Sequence, residues 1–333
     1  MELKMKKIIN QPEAVVEEML QGLVYAHGDS IKRLPESGVI AKKNKVNGQV
    51  GLVSGGGSGH EPAHAGFVGQ GMLSAAVCGP VFTSPTPDQI LAAIQEVDAG
   101  AGVFLIIKNY SGDVMNFDMA KELAEMEDIK VDFIVVDDDI AVEDSTYTAG
   151  KRGVAGTVLV HKILGAAADQ GATLTEIKEL AEKIVPAIKT LGVALSGATA
   201  PEVGKPGFVL ADNEIEFGVG IHGEPGYRKE KIAPSKELAQ EIVSKLKLAF
   251  DWKSGERYGL LVNGLGSTPL MEQYIFTNDV GLLLEEEGLV VEFKKVGDYM
   301  TAIDMAGLSL TLIKLEENEW LDHLNYETKT IAW

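Results

Sequence analysis

Residues 50–62 read Val-Gly-Leu-Val-Ser-Gly-Gly-Gly-Ser-Gly-His-Glu-Pro. An apolar run of buried-strand length (50–53) leads into a glycine-rich loop, the pattern of a strand delivering a ligand loop at the edge of an open α/β sheet. Working outward, similar apolar runs occur at 73–77, 103–107 and 131–136. Helix signals lie between them. Thr86-Pro87-Asp88-Gln89 reads as a capping box with proline at the first helical position, and Ile90, Leu91, Ile94 and Val97 continue at helical spacing. Residues 113–126 place Met115, Met119, Leu123 and Met126 on one helix face. Strands alternating with helices predict βαβ crossovers and a parallel, Rossmann-like sheet, hence an α/β first domain.

A second capping box, Thr173…Glu176, opens a stripe of Leu174, Ile177, Leu180, Ile184 and Ile188, which predicts a helix over 173–191 kinked late by Pro186. Residues 191–204 are rich in small residues and turn formers and mark the domain change. Beyond it, 208–210 and 215–219 flank Ala-Asp-Asn-Glu and read as a hairpin. A helix at 235–250, a strand at 259–262, a helix opened by Thr268-Pro269, and strands near 289–293 and 309–313 follow. Hairpins mixed with helices predict a smaller α+β domain over 191–317, after a first domain over 1–190.

Length and charge narrow the function. The 333 residues fit two domains. Thirty Lys+Arg against 49 Asp+Glu give a net charge of −19, which argues against nucleic-acid or anionic-membrane partners. A single cysteine, Cys78, excludes an internal disulfide framework and a CxxC metal site, and fits a reducing, cytoplasmic setting. The start, MELKMKKIINQPEAVVEEML, has basic residues but no apolar targeting region. No apolar run approaches the roughly 18 residues that cross a bilayer. Glycine is in excess, 37 residues or about 11% against a usual ~7%.

Parallel sheets bind ligands beyond the carboxyl ends of their strands. Here those ends are Ser54–Pro62, the segment Phe82-Thr83-Ser84, and Lys108-Asn109-Tyr110-Ser111-Gly112-Asp113. Glycines, hydroxyls, an imidazole, an ammonium and a carboxylate thus converge on one edge. The glycine loop is either a cradle for an oxygen-rich ligand or a tight strand-to-helix turn. It is not a Walker loop, since no lysine follows, and His60 stands where the dinucleotide pattern needs its last glycine. A literal GxGxxG at 218–223 precedes Glu224-Pro225-Gly226 rather than a helix and is rejected; it leaves His222, flanked by glycines, as either an incidental or a functional imidazole.

His60-Glu61-Pro62-Ala63-His64 resembles the zincin HExxH, although glycines replace the preceding helical turn. His27, His161 and His323 read as structural, and Cys78 as a small buried residue. Asp137-Asp138-Asp139 fits either a magnesium site or, preferably, a solvated loop. Asn263–Thr268 fits an anion-binding helix start or a structural turn.

Four separated motifs, SGGGSGHEPAH (54–64), KNYSGDVMNF (108–117), GIHGEPG (220–226) and NGLGST (263–268), together resemble the dihydroxyacetone kinases, in order and from about Lys6 to the C-terminus. The resemblance extends to the dihydroxyacetone-binding subunit of the bacterial phosphoenolpyruvate-dependent enzyme. The resemblance implies that His222 adds through its imidazole to the ketone as a hemiaminal. Asp113 would be the general base for the hydroxyl to be phosphorylated, and His60 would hydrogen-bond the substrate and assist charge movement. Gly57, Ser84 and Lys108 match substrate-contacting positions. On this reading the zinc assignment of His60 and His64 falls away, and no metal is expected on this chain.

Single-chain, ATP-dependent members of the family carry a further nucleotide domain, and this sequence leaves no room for one. The resemblance therefore implies a phosphoryl donor in trans: ADP/ATP with Mg²⁺ on a nucleotide-carrying partner subunit, recharged through a phosphotransferase-system protein. It also implies a homodimer and a C-terminal segment, 318–333, that returns to the first domain. Some family paralogues are instead non-catalytic dihydroxyacetone receptors that coactivate a transcription regulator. An unrelated α/β hydrolase lacks its Gly-x-Ser-x-Gly elbow here.

Overall fold

A computed structural model describes residues 6–143 and 148–333. The first five residues, read above as part of a start without a targeting region, lie outside them.

In chain order the elements are α1 (Val15–His27), β1 (Ile31–Arg33), β2 (Val39–Lys42), β3 (Gly51–Ser58), β4 (Ala75–Val81), α2 (Pro87–Val97), β5 (Val103–Lys108), α3 (Ser111–Glu125), β6 (Val131–Val136), α4 (Gly156–Asp169) and α5 (Leu174–Ile184). These build the first domain. Its sheet runs β1-β2-β4-β3-β5-β6. The four strands β4, β3, β5 and β6 are parallel, as the alternation of strands and helices requires, and the antiparallel pair β1-β2 extends one edge. Helices cover both faces: α2 and α3 pack through Ile90, Ile94, Phe117 and Ala120, while α4 and α5 pack through Val158, Ile163, Ile177 and Ile184. Both faces of the sheet are dry, which accounts for strands that read as near-continuous apolar runs.

The second sheet begins at β7 (Ile188–Ala194) and continues through β8 (Glu214–Phe217), β9 (Arg228–Lys231), α6 (Ser235–Phe250), β10 (Arg257–Gly264), α7 (Leu270–Glu286), β11 (Val290–Gly297) and β12 (Gly307–Lys314). Its order is β11-β10-β12-β7-β8-β9, antiparallel except for β10-β11. The apolar stripes of α6 and α7 (Ile242, Leu246, Phe276, Val280, Leu284) cover one face. Residues from its other face, including Ile188, Leu261 and Ile313, join the core built around α4. The last helix, α8 (Asn318–Asn325), sets Trp320, fully buried, into that same core. Backbone N–H groups of Lys329 and Ile331 then donate to the carbonyls of Gln70 and Gly66, tying residues beyond α8 to the first domain.

The structure corrects several sequence expectations. The helix predicted over 173–191 ends at Ile184; Pro186 sits in a short 3-10 turn and Ile188 starts β7, so the last stripe residue faces the core from a strand. The predicted hairpin does not use 208–210: β8 pairs with β9, eleven residues further on. Thr86 makes no side-chain cap, and the Gln89 side chain, instead of returning to Thr86, accepts from the Gly38 N–H. The second capping box, at Thr173, is formed. Asp138 and Asp139 are buried rather than solvated. Asp138 accepts from the N–H groups of Val154 and Gly156 and from the Thr190 hydroxyl; burial pushes its carboxyl up to about 6 despite those hydrogen bonds. The Met115–Met119–Leu123–Met126 face of α3 is open to solvent, from 38% to 82% exposed, since Phe117, Ala120 and Ala124 supply its buried side.

Candidate active site

The glycine stretch is not a loop after the strand but the strand itself. β3 continues through Gly55, Gly56 and Gly57, which pair with Val77, Cys78 and Gly79 of β4. At Gly55 and Gly57 neighbouring backbone occupies the space of a side chain: a Cβ on Gly57 would lie 2.4 Å from the Thr83 nitrogen. The turn at Phe82, held at φ +54, can therefore close over the strand, with the strain such an angle imposes on a bulky residue.

That closure forms one wall of a cleft of about 610 Å³ lined by Gly57, Phe82, Ser84, Tyr110, Asp113 and His222, with Met115 and Asn116 at the α3 side. Of the sequence-derived candidates, Gly57, Ser84, Asp113 and His222 thus face one space. His60 and Lys108 are fully buried beside it. Asp113 lies in the first turn of α3 and accepts a short hydrogen bond from the Ser84 hydroxyl. Burial raises its affinity for protons, opposed by the Lys108 charge, the Ser84 hydrogen bond and His222. Lys108, at the end of β5, is pushed down by burial although Asp113, Glu224 and Asp138 attract its charge. Its Nζ has no hydrogen-bond partner among the described residues, which leaves a donor unused beside the cleft.

The two domains meet at two imidazoles. Nε2 of His60 lies 3.1 Å from Nε2 of His222, so one of the two carries the hydrogen between them. Each ring is held at its other nitrogen by a different kind of acceptor. His60 Nδ1 donates to the carbonyl oxygen of Thr301 at 2.7 Å. A carbonyl oxygen only accepts, so this contact fixes the tautomer. Burial, then the Lys108 and His222 charges, hold His60 well below the usual imidazole value, in its neutral form. His222 Nδ1 lies 3.1 Å from Glu224 Oε1, and the His222 backbone N–H donates to Glu224 Oε2 at 2.9 Å. Burial alone would raise Glu224, but the His222 hydrogen bond and charge and the Arg152 charge outweigh it and keep the carboxylate ionised. Phe82 and Tyr110 flank the His222 ring edge-on, at centroid distances of 5.3 and 4.5 Å.

The HExxH-like spacing dissolves in the fold. His64 turns away from His60 and pairs with His161 in the first-domain core, Nδ1 to Nε2 at 2.9 Å. Among the described residues no group of three or more His, Cys, Asp or Glu side chains is placed to hold a metal. Cys78 is partly buried, and burial pushes its thiol up to about 12, far from a nucleophile's range. Asn263 is structural: its side chain accepts from the Tyr299 and Met300 N–H groups and donates to the Met300 carbonyl. Glu224, Thr301 and Tyr110 were missed as site residues. The first and last lay inside quoted motifs, but Thr301 carries no local signal at all.

A carboxylate base beside a hydroxyl, an unpaired ammonium, and an imidazole whose far nitrogen is anchored on a carboxylate suit addition to a carbonyl and deprotonation of a neighbouring alcohol. Comparison with known proteins gives the same direction. The Dak1 domain model matches residues 21–332. The PTS-dependent dihydroxyacetone kinase, dihydroxyacetone-binding subunit DhaK, of Lactococcus lactis is 69% identical over 328 residues, covering 98% of this chain and 99% of the relative. The DhaKLM operon coactivator DhaQ of the same organism is 50% identical, covering 98% and 100%. A solved structure of the dihydroxyacetone kinase operon co-activator superposes with a TM-score of 0.91 at 50% identity, over 95% of this chain and 98% of that one. The chain belongs to the Dak1-domain family of dihydroxyacetone kinase proteins.

Proposed function

We propose that this chain is the dihydroxyacetone-binding subunit of a phosphoenolpyruvate-dependent dihydroxyacetone kinase, acting in the cytoplasm. The observation that carries the reading is the His222–Glu224 pair opening onto the same cleft as Asp113. His60 Nε2 first takes the hydrogen from His222 Nε2. The freed Nε2 lone pair of His222 forms a bond to the ketone carbon, the carbonyl π pair moves to oxygen, and that oxygen takes the proton back from His60. The imidazole, bonded at Nε2 and protonated at Nδ1, is then cationic, and Glu224 is its counter-ion. Lys108, Ser84 and the Gly57 backbone receive the hydroxyl groups of the triose. Asp113 removes the proton from the terminal hydroxyl as its oxygen attacks the phosphoryl group, and the nucleoside diphosphate leaves.

The phosphoryl donor is a Mg²⁺-bound nucleotide on a partner subunit, restored through a phosphotransferase-system protein. The solvent-facing Met115–Met119–Leu123 stripe supports docking of that subunit, since it starts at the cleft rim and adaptable methionine side chains suit an interface that forms and separates. A homodimer completes the assembly. The test mixes the chain with its nucleotide-carrying subunit, ADP, Mg²⁺ and the upstream phosphodonor: triose phosphate should form, and none would sink the reading.

The similarity to a coactivator over the whole chain favours a second reading, a dihydroxyacetone receptor without turnover. Retention of the Ser84–Asp113 pair speaks for catalysis, because a receptor needs only the adduct-forming histidine. Capture of a transcription regulator, without stimulation of triose phosphorylation, would select the receptor.

A further inference from the structure

Arg152 is the one buried arginine among the described residues, with 0% exposure. It lies between β6 and α4, in the first domain, and its guanidinium reaches from Asp139 of that domain to the second. Its Nε donates to Asp139 Oδ2 at 2.8 Å, its Nη2 pairs with the same carboxylate at 2.6 Å, and that Nη2 also donates to the Gly218 carbonyl at 2.6 Å. Gly218 directly follows β8 and starts the turn that carries His222. The remaining nitrogen, Nη1, has no hydrogen-bond partner among the described residues. It faces the same backbone position as the Glu224 carboxylate: a Cβ on Gly220 would sit 2.8 Å from Nη1 and 2.1 Å from Glu224 Oε2. Only glycine at 220 lets the cation and the carboxylate approach each other.

Burying a guanidinium is costly unless its charge and donors are used. Asp139 already neutralises it, so a purely structural role would be served by that pair alone. The extra grip on Gly218 and the proximity to Glu224 point elsewhere. We propose that Arg152 is a positioning residue for the carbonyl-binding histidine: it fixes the start of the His222 turn and holds Glu224 so that the imidazole keeps its hydrogen on Nδ1 and presents Nε2 to the ligand. The proposal rests on the reading that His222 forms the adduct. Arg152 acts through Glu224 and touches no ligand. Its surroundings agree: besides His222, the charged or titratable groups that act on Glu224 or are acted on by it include Lys108 from β5, Tyr110 from the β5–α3 turn and Asp139 from the segment after β6. Thr301 gives His60 the reciprocal support, from the second domain to the first.

The test compares the full chain with Arg152→Met and Arg152→Lys. ¹³C-labelled dihydroxyacetone reports the adduct as loss of the ketone resonance and gain of a tetrahedral carbon, and ¹⁵N spectra report the tautomer of His222. Wild type should form the adduct with His222 in one tautomer. Arg152→Met should weaken it about tenfold or more, mix the tautomers and shift the pH profile of adduct formation. Arg152→Lys, which keeps the charge but not the fork, should recover part of the affinity; if the methionine variant does not fold, the lysine variant decides by a weakened adduct and a changed tautomer signal. Wild-type affinity, tautomer and pH profile in a folded variant, with only the melting temperature lowered, would overturn the proposal. Absence of an adduct in the wild type would instead strike the functional reading beneath it.

Discussion

Two pairs of histidines lie in this molecule at nearly equal separation, in very different surroundings. His60 and His222 approach to 3.1 Å, His64 and His161 to 2.9 Å. The first pair spans the two domains, borders the cleft and anchors both outer nitrogens, one on the Thr301 carbonyl and one on the Glu224 carboxylate. The second pair lies wholly within the first-domain core, and its outer nitrogens, His64 Nε2 and His161 Nδ1, have no hydrogen-bond partner among the described residues. Burial and then Lys108 hold both of those rings neutral, with His161 pushed to about 3. On the proposed function, what separates the imidazole that reacts from the one that only packs is the third group, the acceptor that fixes the tautomer and balances the charge, together with access.

Substitutions at and around the two pairs test this contrast, beginning beside His60 and His222. Asp113→Asn should leave the adduct on His222 intact while turnover falls by about 10²–10⁴, the usual worth of a positioned base. Its pH dependence has a definite sign. Burial raises the Asp113 carboxyl above its ordinary 3.8, so the ionised base, and with it turnover, is lost as pH falls through that elevated value rather than near 3.8. A rate-against-pH series with adduct occupancy followed in parallel checks this; equal turnover in the asparagine variant would remove Asp113 from the mechanism.

Glu224→Gln should cost roughly 10–100-fold in adduct affinity, since an amide can no longer offset a cationic imidazole. Titration of labelled dihydroxyacetone reads this directly. Met119→Glu should lower partner-supported turnover about fivefold, the scale of a ~1 kcal/mol interface loss, with dihydroxyacetone affinity unchanged. Loss of affinity in that variant would mean the stripe belongs to the fold rather than to a docking face. At the quiet pair, His161→Gln should leave turnover at the wild-type level and lower unfolding free energy by about 1–3 kcal/mol, measured by denaturant titration. A turnover defect there would erase the distinction between the pairs.

The sequence carried the parallel sheet and the helices on its faces plainly, because buried strands read as continuous apolar runs and α6 keeps the bounds its pattern implies. It misled where a feature served a purpose its pattern does not encode. Gly55–Gly57 read as a loop because glycine is a turn signal, yet the residues are strand. The Val77 carbonyl crowds Gly55, the Asp113 and Lys108 side chains approach Gly56, and the Phe82–Thr83 turn takes the side-chain space of Gly57. The acidic run at 137–139 read as solvated because nothing local announces that Asp138 binds the start of α4 or that Asp139 meets Arg152. Ser84, Asp113 and His222 lie in local motifs, and the structure places all three on one cleft. The partner of His60 has no such local mark, since His60 and Thr301 are 241 positions apart and only the packing of one domain on the other brings them together.

The account stands or falls on the bond at His222. A structure of the chain soaked with dihydroxyacetone should show continuous density from His222 Nε2 to a tetrahedral central carbon, with Glu224 still on Nδ1 and a terminal hydroxyl beside Asp113. A planar ketone resting unbonded in the cleft, or density joined to His60 instead, would contradict it.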